Sequence, residues 1–302
     1  MDLSSFLEAL RPFLSYLPPP LYILAGAFVG FVIGLTGVGG GSLMTPILIL
    51  FFKIPPSVAV GTDLVYATLT KSSGIYFHHR QQTICWPVVL SRCLGSIPAA
   101  IITVSYLSHL KAAGADYEKL MLLVLGTMLM FTALTIFGRD FINRLLGRDG
   151  PPKAPFKFSW KSHFLNFLVG VFIGILVTLS SVGAGVIGTA IVFLLFAHLP
   201  AVVVVGTELA NAVPLTAVAG IGHWYFLGDV DLRLLSGLVL GGLPAVYLGS
   251  RIGKRLPDAY LRPIIATVLL IMGFRLVGGF ERLSIIGGAL QQLASEVRPW
   301  LL

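Results

Sequence analysis

The run Gly37-Val38-Gly39-Gly40-Gly41-Ser42 lies in the middle of an apolar stretch from Leu21 to Phe52. A looser copy, Ser180-Ser181-Val182-Gly183-Ala184-Gly185, lies inside a second apolar stretch from Phe164 to Ala197. Glycine within a helix costs about 1 kcal/mol relative to alanine. Open backbone in hydrocarbon is tolerated only where protein or a wet cavity surrounds it. Two such interruptions at equivalent places predict discontinuous membrane helices, whose free N-terminal N–H groups face a substrate near the bilayer midplane.

The composition sets the environment. With 56% hydrophobic residues, 11% charged residues and a mean hydropathy of +0.91, the chain of 302 residues reads as an all-α integral membrane protein. A spanning helix takes about 20 mostly apolar residues. The windows Ser57 to Phe77, Cys85 to Leu107, Lys119 to Phe137, Ala201 to Phe226, Leu232 to Gly249 and Tyr260 to Val277 each approach that length. The two glycine-bearing stretches exceed one span, so each is either a long tilted helix or two short helices bent back on each other. The net charge of +8 sits mostly in connecting loops, which fits the positive-inside rule and argues against nucleic acid as a partner. Cys85 and Cys93 have no partners at metal spacing and read as small buried residues. No metal or cofactor is expected, and there is neither a phosphate-binding lysine loop nor a nucleophile elbow. Residues 1–20 lack a basic start and a small-residue cleavage site, so they read as an interfacial amphipathic segment rather than a signal peptide.

Sliding the chain on itself by roughly 145 positions reveals an internal repeat. Gly39 and Gly41 fall on Gly183 and Gly185, Gly61-Thr62-Asp63-Leu64 on Gly206-Thr207-Glu208-Leu209, His78 on His223, and Gly95 and Pro98 on Gly241 and Pro244. The expected organisation is a first repeat over 21–137, a basic cytoplasmic linker over 138–162, a second repeat over 163–278 and a tail over 279–302. If each glycine-broken stretch crossed once, both halves would point the same way and Arg251, Lys254 and Arg255 would fall outside. If each enters and leaves on one side, Arg80 and Arg251 to Arg255 lie inside, while Asp229 and Asp231 lie outside. The charges favour the second arrangement, with inverted repeats and re-entrant segments.

Several residues are candidates for chemistry. Gly37, Gly39, Gly40 and Gly41 precede Ser42 and Thr45, and Ser42 is placed to cap a helix whose positive end favours an anion. Gly183, Gly185 and Asn211, the last near Pro214, are candidates for the same cavity. A charge within a span is costly unless it is paired, protonated or wet. Asp63 and Glu208 are therefore proton-coupling candidates, or else interfacial helix-start charges. Lys71 either holds the anion or pairs with Asp63 or Glu208, and Arg92 faces the same choice. His78 and His223, at matching helix ends, are further proton-relay candidates.

At these residues the chain resembles the sulfite exporter TauE/SafE family of membrane permeases over about Leu21 to Val277. The likeness rests on Gly-Leu-Thr-Gly-Val-Gly-Gly-Gly at Gly34 to Gly41, Gly-Thr-Asp-Leu from Gly61 and Gly-Thr-Glu-Leu from Gly206. It extends over His223 through Gly228-Asp229-Val230-Asp231, then Gly241-Gly242-Leu243-Pro244 and Gly249-Ser250-Arg251. The resemblance implies carriage of small anions, sulfite or organosulfonates and related carboxylates, across the bacterial inner membrane with protons as coupling ion. The second glycine motif is degraded and Gln82-Thr83-Ile84-Cys85-Trp86 replaces an acidic turn, so the two halves are not equivalent. A homodimer is compatible with the chain. The rival readings are an anion channel and a membrane scaffold or enzyme. If the glycines receive substrate, Gly40→Leu abolishes flux in proteoliposomes while leaving membrane insertion intact; normal transport by that variant would show that they only pack.

Overall fold

The structure, a computed structural model, describes residues 18–36, 41–145, 160–183, 185–196, 199–253 and 258–278. Helices are the regular elements among them. The first apolar stretch is α1 (Pro20–Thr36) and α2 (Gly41–Leu50), followed by α3 (Pro56–Arg80), α4 (Trp86–Ala112) and α5 (Glu118–Leu145). The second is α6 (Trp160–Ser180) and α7 (Val186–Leu195). It is followed by α8 (Ala201–Gly222), which continues as one π turn (His223–Leu227), then α9 (Leu232–Gly253) and α10 (Asp258–Leu276). The second stretch is interrupted at Ser181 to Gly183, whereas residues 37–40, between α1 and α2, lie outside the described residues. Most of the interfacial segment and the linker, the whole tail, and Gly37, Gly39, Gly40, Lys254 and Arg255 lie outside the described residues. Ser42 falls in the first turn of α2, after Gly41, and not at the cap position expected of it.

Helix ends follow local chemistry. Proline, which lacks an N–H to satisfy, opens the first turn of α3 and α4. The π turn stops at Gly228, whose φ of +65 is a left-handed conformation that glycine adopts at little cost. Between α6 and α7 the chain turns through Ser181 at φ +58 and Gly183 at φ +113.

Five described segments are long and apolar enough to cross a membrane: Trp86–Ala112, Glu118–Gly138, Trp160–Ser180, Val202–Leu227 and Leu232–Ile252. This is a multi-pass membrane protein. The helix α3 has 25 residues, enough to cross, but threonine, serine, lysine and histidine lower its hydropathy. Its polar residues point largely inward, and the described residues of the other helices follow the same arrangement. Leu90, Leu94, Ile102 and Phe172 are exposed, whereas Asp63, Arg92, Asn166, Glu208 and Asn211 are buried. Hydrocarbon accepts the first group without penalty, and the second is tolerable only inside protein.

The contacts define helix direction. Gly26, Gly30 and Gly34 of α1 meet Leu238, Gly242 and Val246 of α9 in order, so the two helices run parallel. Gly170 and Gly174 of α6 meet Arg92 and Ser96 of α4, again in parallel. Along α3, Gly61 meets His223, Thr68 bonds Thr216 at 2.9 Å, and His78 meets Gly206, so α3 and α8 are antiparallel. The α1–α9 seam depends on small residues that let backbones approach; a Cβ at Gly30 would stand 2.8 Å from the Gly242 Cα. Gly30→Leu is expected to destabilise the fold by about 1 to 3 kcal/mol, read as a lowered melting temperature in detergent. A wild-type melting curve would show that the seam opens freely.

Candidate functional site

Two carboxylates sit at corresponding places on the antiparallel helices α3 and α8. Asp63 lies about 10 Å along α3 from Pro56, and Glu208 about 10 Å along α8 from Ala201, at 1.5 Å per residue. Both are buried within the protein. Their surroundings differ.

Asp63 Oδ2 accepts a 2.5 Å hydrogen bond from the Thr45 hydroxyl of α2. Ser181, on the turn that leads to Gly183, stands beside the same carboxyl group without a regular hydrogen bond to it. Asp63 therefore lies where both glycine-bearing stretches converge: Thr45 comes from the first and Ser181 from the second. Thr45, a candidate anion ligand by sequence, serves here as the hydrogen-bond donor to Asp63.

Glu208 is neutralised. Its Oε2 lies 2.5 Å from Nη1 of Arg92, a guanidinium with only 1% of its side chain exposed. Arg92 is held on two further sides, with Nε donating to Asn166 Oδ1 at 3.0 Å and Nη1 donating to the Gly188 carbonyl at 3.3 Å. Asn166 is itself fixed by donating to the Val88 carbonyl at 2.9 Å and the Ser91 hydroxyl at 2.8 Å. A Cβ at Gly188 would fall on the Glu208 carboxylate, so a side chain there would push that carboxylate from its present position.

Lys71 lies two turns beyond Asp63, half-buried and within the electrostatic field of both Asp63 and Glu208. Among the described residues it forms no ion pair with either, so the structural pairing weighed for it from sequence is not made. Asn211, one turn after Glu208, accepts from the Cys93 thiol at 3.3 Å. Several buried polar atoms have no hydrogen-bond partner among the described residues: Asp63 Oδ1, Ser181 Oγ, Arg92 Nη2, Glu208 Oε1, Asn211 Nδ2 and His223 Nδ1. Such unmet capacity is unusual in a settled interior and fits groups that exchange protons or polar ligands.

The two histidines occupy matching positions. His223 packs against Gly61, two residues before Asp63, and its Nε2 contacts the Thr178 carbonyl at 3.0 Å. His78 packs against Gly206, two residues before Glu208, and its Nδ1 contacts the Thr83 hydroxyl at 2.8 Å. Neither touches a carboxylate. Gly183 provides the turn before α7, and Gly185 precedes its first residue; the Gly188 N–H of that first turn donates back to the Gly183 carbonyl at 3.2 Å.

A second polar cluster lies where the α8–α9 turn meets the end of α4. Lys111 Nζ donates to Asp229 Oδ1 at 2.8 Å and also to the Leu227 carbonyl, and Tyr117 donates to Asp229 Oδ2 at 3.0 Å. The Asp231 N–H donates to Thr62 at 3.1 Å. Sequence reasoning read Asp229 only as an outside charge and missed Lys111 and Tyr117, which stand more than a hundred positions away. It also missed Asn166 and Gly188. A lone asparagine in the apolar run of α6 was the available signal, but nothing in the order of residues pairs it with Arg92.

A family model described as sulfite exporter TauE/SafE matches residues 22–276. The chain belongs to the sulfite exporter TauE/SafE family. The probable membrane transporter protein YjnA of Bacillus subtilis is 38% identical over 255 residues, spanning 84% of this chain and 98% of that one. A probable membrane transporter protein of Methanocaldococcus jannaschii is 27% identical over 273 residues, 84% of this chain and 93% of its own. YdhB of Bacillus subtilis, also a probable membrane transporter protein, is 27% identical over 258 residues, 83% of this chain and 99% of its own. No solved structure gives a significant match. The family match covers α1 through α10 and hence every residue of the cluster.

The cluster predicts a graded response to substitution. Removing one member of a buried pair leaves an uncompensated charge, at about 3–5 kcal/mol. Glu208→Leu is expected to lower the melting temperature strongly, Glu208→Gln less because it retains an oxygen for Arg92, and Arg92→Met with Glu208→Leu to recover most of the loss. Equal melting temperatures for Glu208→Leu and Glu208→Gln would show that the pair carries little stability.

Proposed function

We propose that this chain is a secondary transporter that moves a small anion, sulfite, an organosulfonate or a related carboxylate, across the inner membrane together with protons by alternating access. The observation that carries the reading is the cluster of buried Asp63, Arg92 and Glu208 with half-buried Lys71, where Thr45 of one glycine-bearing stretch and Ser181 of the other meet. Ionisable groups deep in a membrane protein mark ion and proton pathways, and discontinuous helices in carriers surround the substrate near the midplane. The names of the family and of the relatives point the same way. Catalysis is not part of this reading.

The helix directions support two inverted repeats with re-entrant first segments. Helices α8 and α9 join through a short turn and so run oppositely; α8 opposes α3, and α1 follows α9, so α1 and α3 point the same way. The chain has to return between them, and α2 is the element available. The same reasoning sets α6 alongside α8, with α7 as the return. It also sets α1 against α6, which inverts one half relative to the other. The first five helices and the second five occur in the same order, a short helix of 10 residues second in each half.

In this reading Asp63 and Glu208 are the proton-binding carboxylates, with His223 and His78 beside the starts of their helices as relays. Lys71 attracts the anion, and Asn211 with the α2 and α7 starts, around Gly41, Ser42, Gly183 and Gly185, supplies neutral donors. Movement of one half against the other exposes the cluster to each side in turn. The test is flux in proteoliposomes over sulfite, sulfoacetate and short carboxylates, with and without a pH gradient. Saturable flux driven by the gradient is expected, and ohmic currents would indicate a channel instead. Lys71→Ala is expected to raise the half-saturating anion concentration about tenfold, on the scale of one exposed-to-buried ion contact; an unchanged value would remove Lys71 from the site.

A further inference from the structure

We propose that Arg92 is the receptor for the transported anion and that Glu208 holds the place of that anion until a proton displaces it. The inference rests on the transport reading above and assigns to it a binding residue and a coupling chemistry.

The geometry is that of an occupied but incompletely filled site. A guanidinium presents two N–H edges that match the two oxygens of a carboxylate or sulfonate. Glu208 uses one of them: Oε2 meets Nη1, while Nη2 of Arg92 and Oε1 of Glu208 both lack partners. Both side chains are almost wholly buried, at 1% and 4% exposed. One turn along α8, the unpartnered Nδ2 of buried Asn211 supplies a neutral donor on the Glu208 side of the helix. Meanwhile Asn166 and the Gly188 carbonyl hold Arg92 through Nε and Nη1, which leaves Nη2 as its one nitrogen without a partner among the described residues. The receptor is anchored, and the carboxylate on it is replaceable.

Charge conservation makes the exchange a coupling device. In the resting pair, Arg92 and Glu208 sum to zero. When a proton from water binds a Glu208 oxygen and a monoanion takes the vacated edge of Arg92, the sum is again zero. Either event alone leaves a net charge in a buried site and is opposed by desolvation. Proton and anion therefore bind together, one for one. The charged and titratable groups that face Glu208 are Arg92 and Cys93 of α4 and Lys71 of α3. From α6 the pair meets neutral Asn166, and from α7 the Gly188 backbone. Lys71 favours an ionised Glu208 and a bound anion alike, so it does not alter the one-for-one balance.

The ligand class is an oxyanion with two or more equivalent oxygens on one centre, as in sulfite, sulfonates and carboxylates. A halide has no second oxygen with which to engage the free edge. The experiment measures binding of methanesulfonate, a sulfonate that stays a monoanion throughout the range, to detergent-purified wild type, Glu208→Gln and the charge-neutral double variant Arg92→Gln/Glu208→Gln between pH 5 and 8. Flux is assayed in parallel. Wild-type affinity is expected to rise about tenfold per unit fall in pH, the slope for one linked proton. Glu208→Gln should bind at every pH with that slope lost and with flux no longer driven by a pH gradient. The double variant, which leaves no buried charge unpaired, should lose binding by at least about a hundredfold, the scale of a buried charged hydrogen bond. A wild-type slope in Glu208→Gln, or wild-type affinity in the double variant, would overturn the exchange while leaving gradient-driven flux to uphold the transport reading. Absence of both binding and flux in the wild type would overturn both.

Discussion

A guanidinium cannot rest in the interior of a membrane protein without a counter-charge, and the arrangement around Arg92 follows from that constraint. Glu208 supplies the charge, Asn166 and the Gly188 carbonyl take two of the remaining donor directions, and the carboxylate occupies the space that a side chain at Gly188 would take. One ion pair thus draws together α4, α6, α7 and α8. The parallel seam between α4 and α6, where glycine lets Gly170 approach the Arg92 backbone, holds the guanidinium at that depth. Hydrophobic burial does not position these helices, since lipid is as apolar as their outer faces; close backbone contact and satisfied polar groups do.

The other half of the site has the same frame with different chemistry. Asp63 corresponds to Glu208, but its partner is the Thr45 hydroxyl, with no arginine beside it. A hydroxyl can donate to a carboxylate but cannot neutralise it. The cluster therefore contains one carboxylate with its charge balanced at contact distance and one with only Lys71 in its field. That inequality makes the two halves of the site chemically different, since only the Glu208 side places a guanidinium against its carboxylate.

Polar contacts at the helix ends differ in the same sense. The α8–α9 turn is tied by Lys111, Tyr117 and Asp229, and by Asp231 to Thr62 at the start of α3. The corresponding α3–α4 turn is tied to α8 by a neutral contact, the Cys85 N–H on Thr207 at 2.9 Å, and to the end of α3 by His78 on Thr83 at 2.8 Å. Lys111 is about half exposed, which limits what its pair with Asp229 contributes. Both turns press on the second turns of the helices that carry the carboxylates, one or two residues before Asp63 and Glu208, so displacement of either would be felt at the buried cluster.

The amino-acid order alone determined the class of protein, because apolar runs of spanning length have no other stable use, and it located the break between α6 and α7, because glycines inside such a segment admit few alternatives. It singled out Asp63, Glu208, Lys71 and Arg92, since charges within apolar windows are conspicuous. Tertiary structure decided which of them meet. Glu208 took Arg92, Asp63 took Thr45 and Lys71 took neither, while Ser42 entered a helix that it was expected to cap. Asn166, Gly188, Lys111 and Tyr117 acquired their roles only through packing. The reason is distance along the chain: local periodicity reports which side of a helix is apolar, whereas a pair such as Arg92 and Glu208 exists only once α4 and α8 are laid side by side.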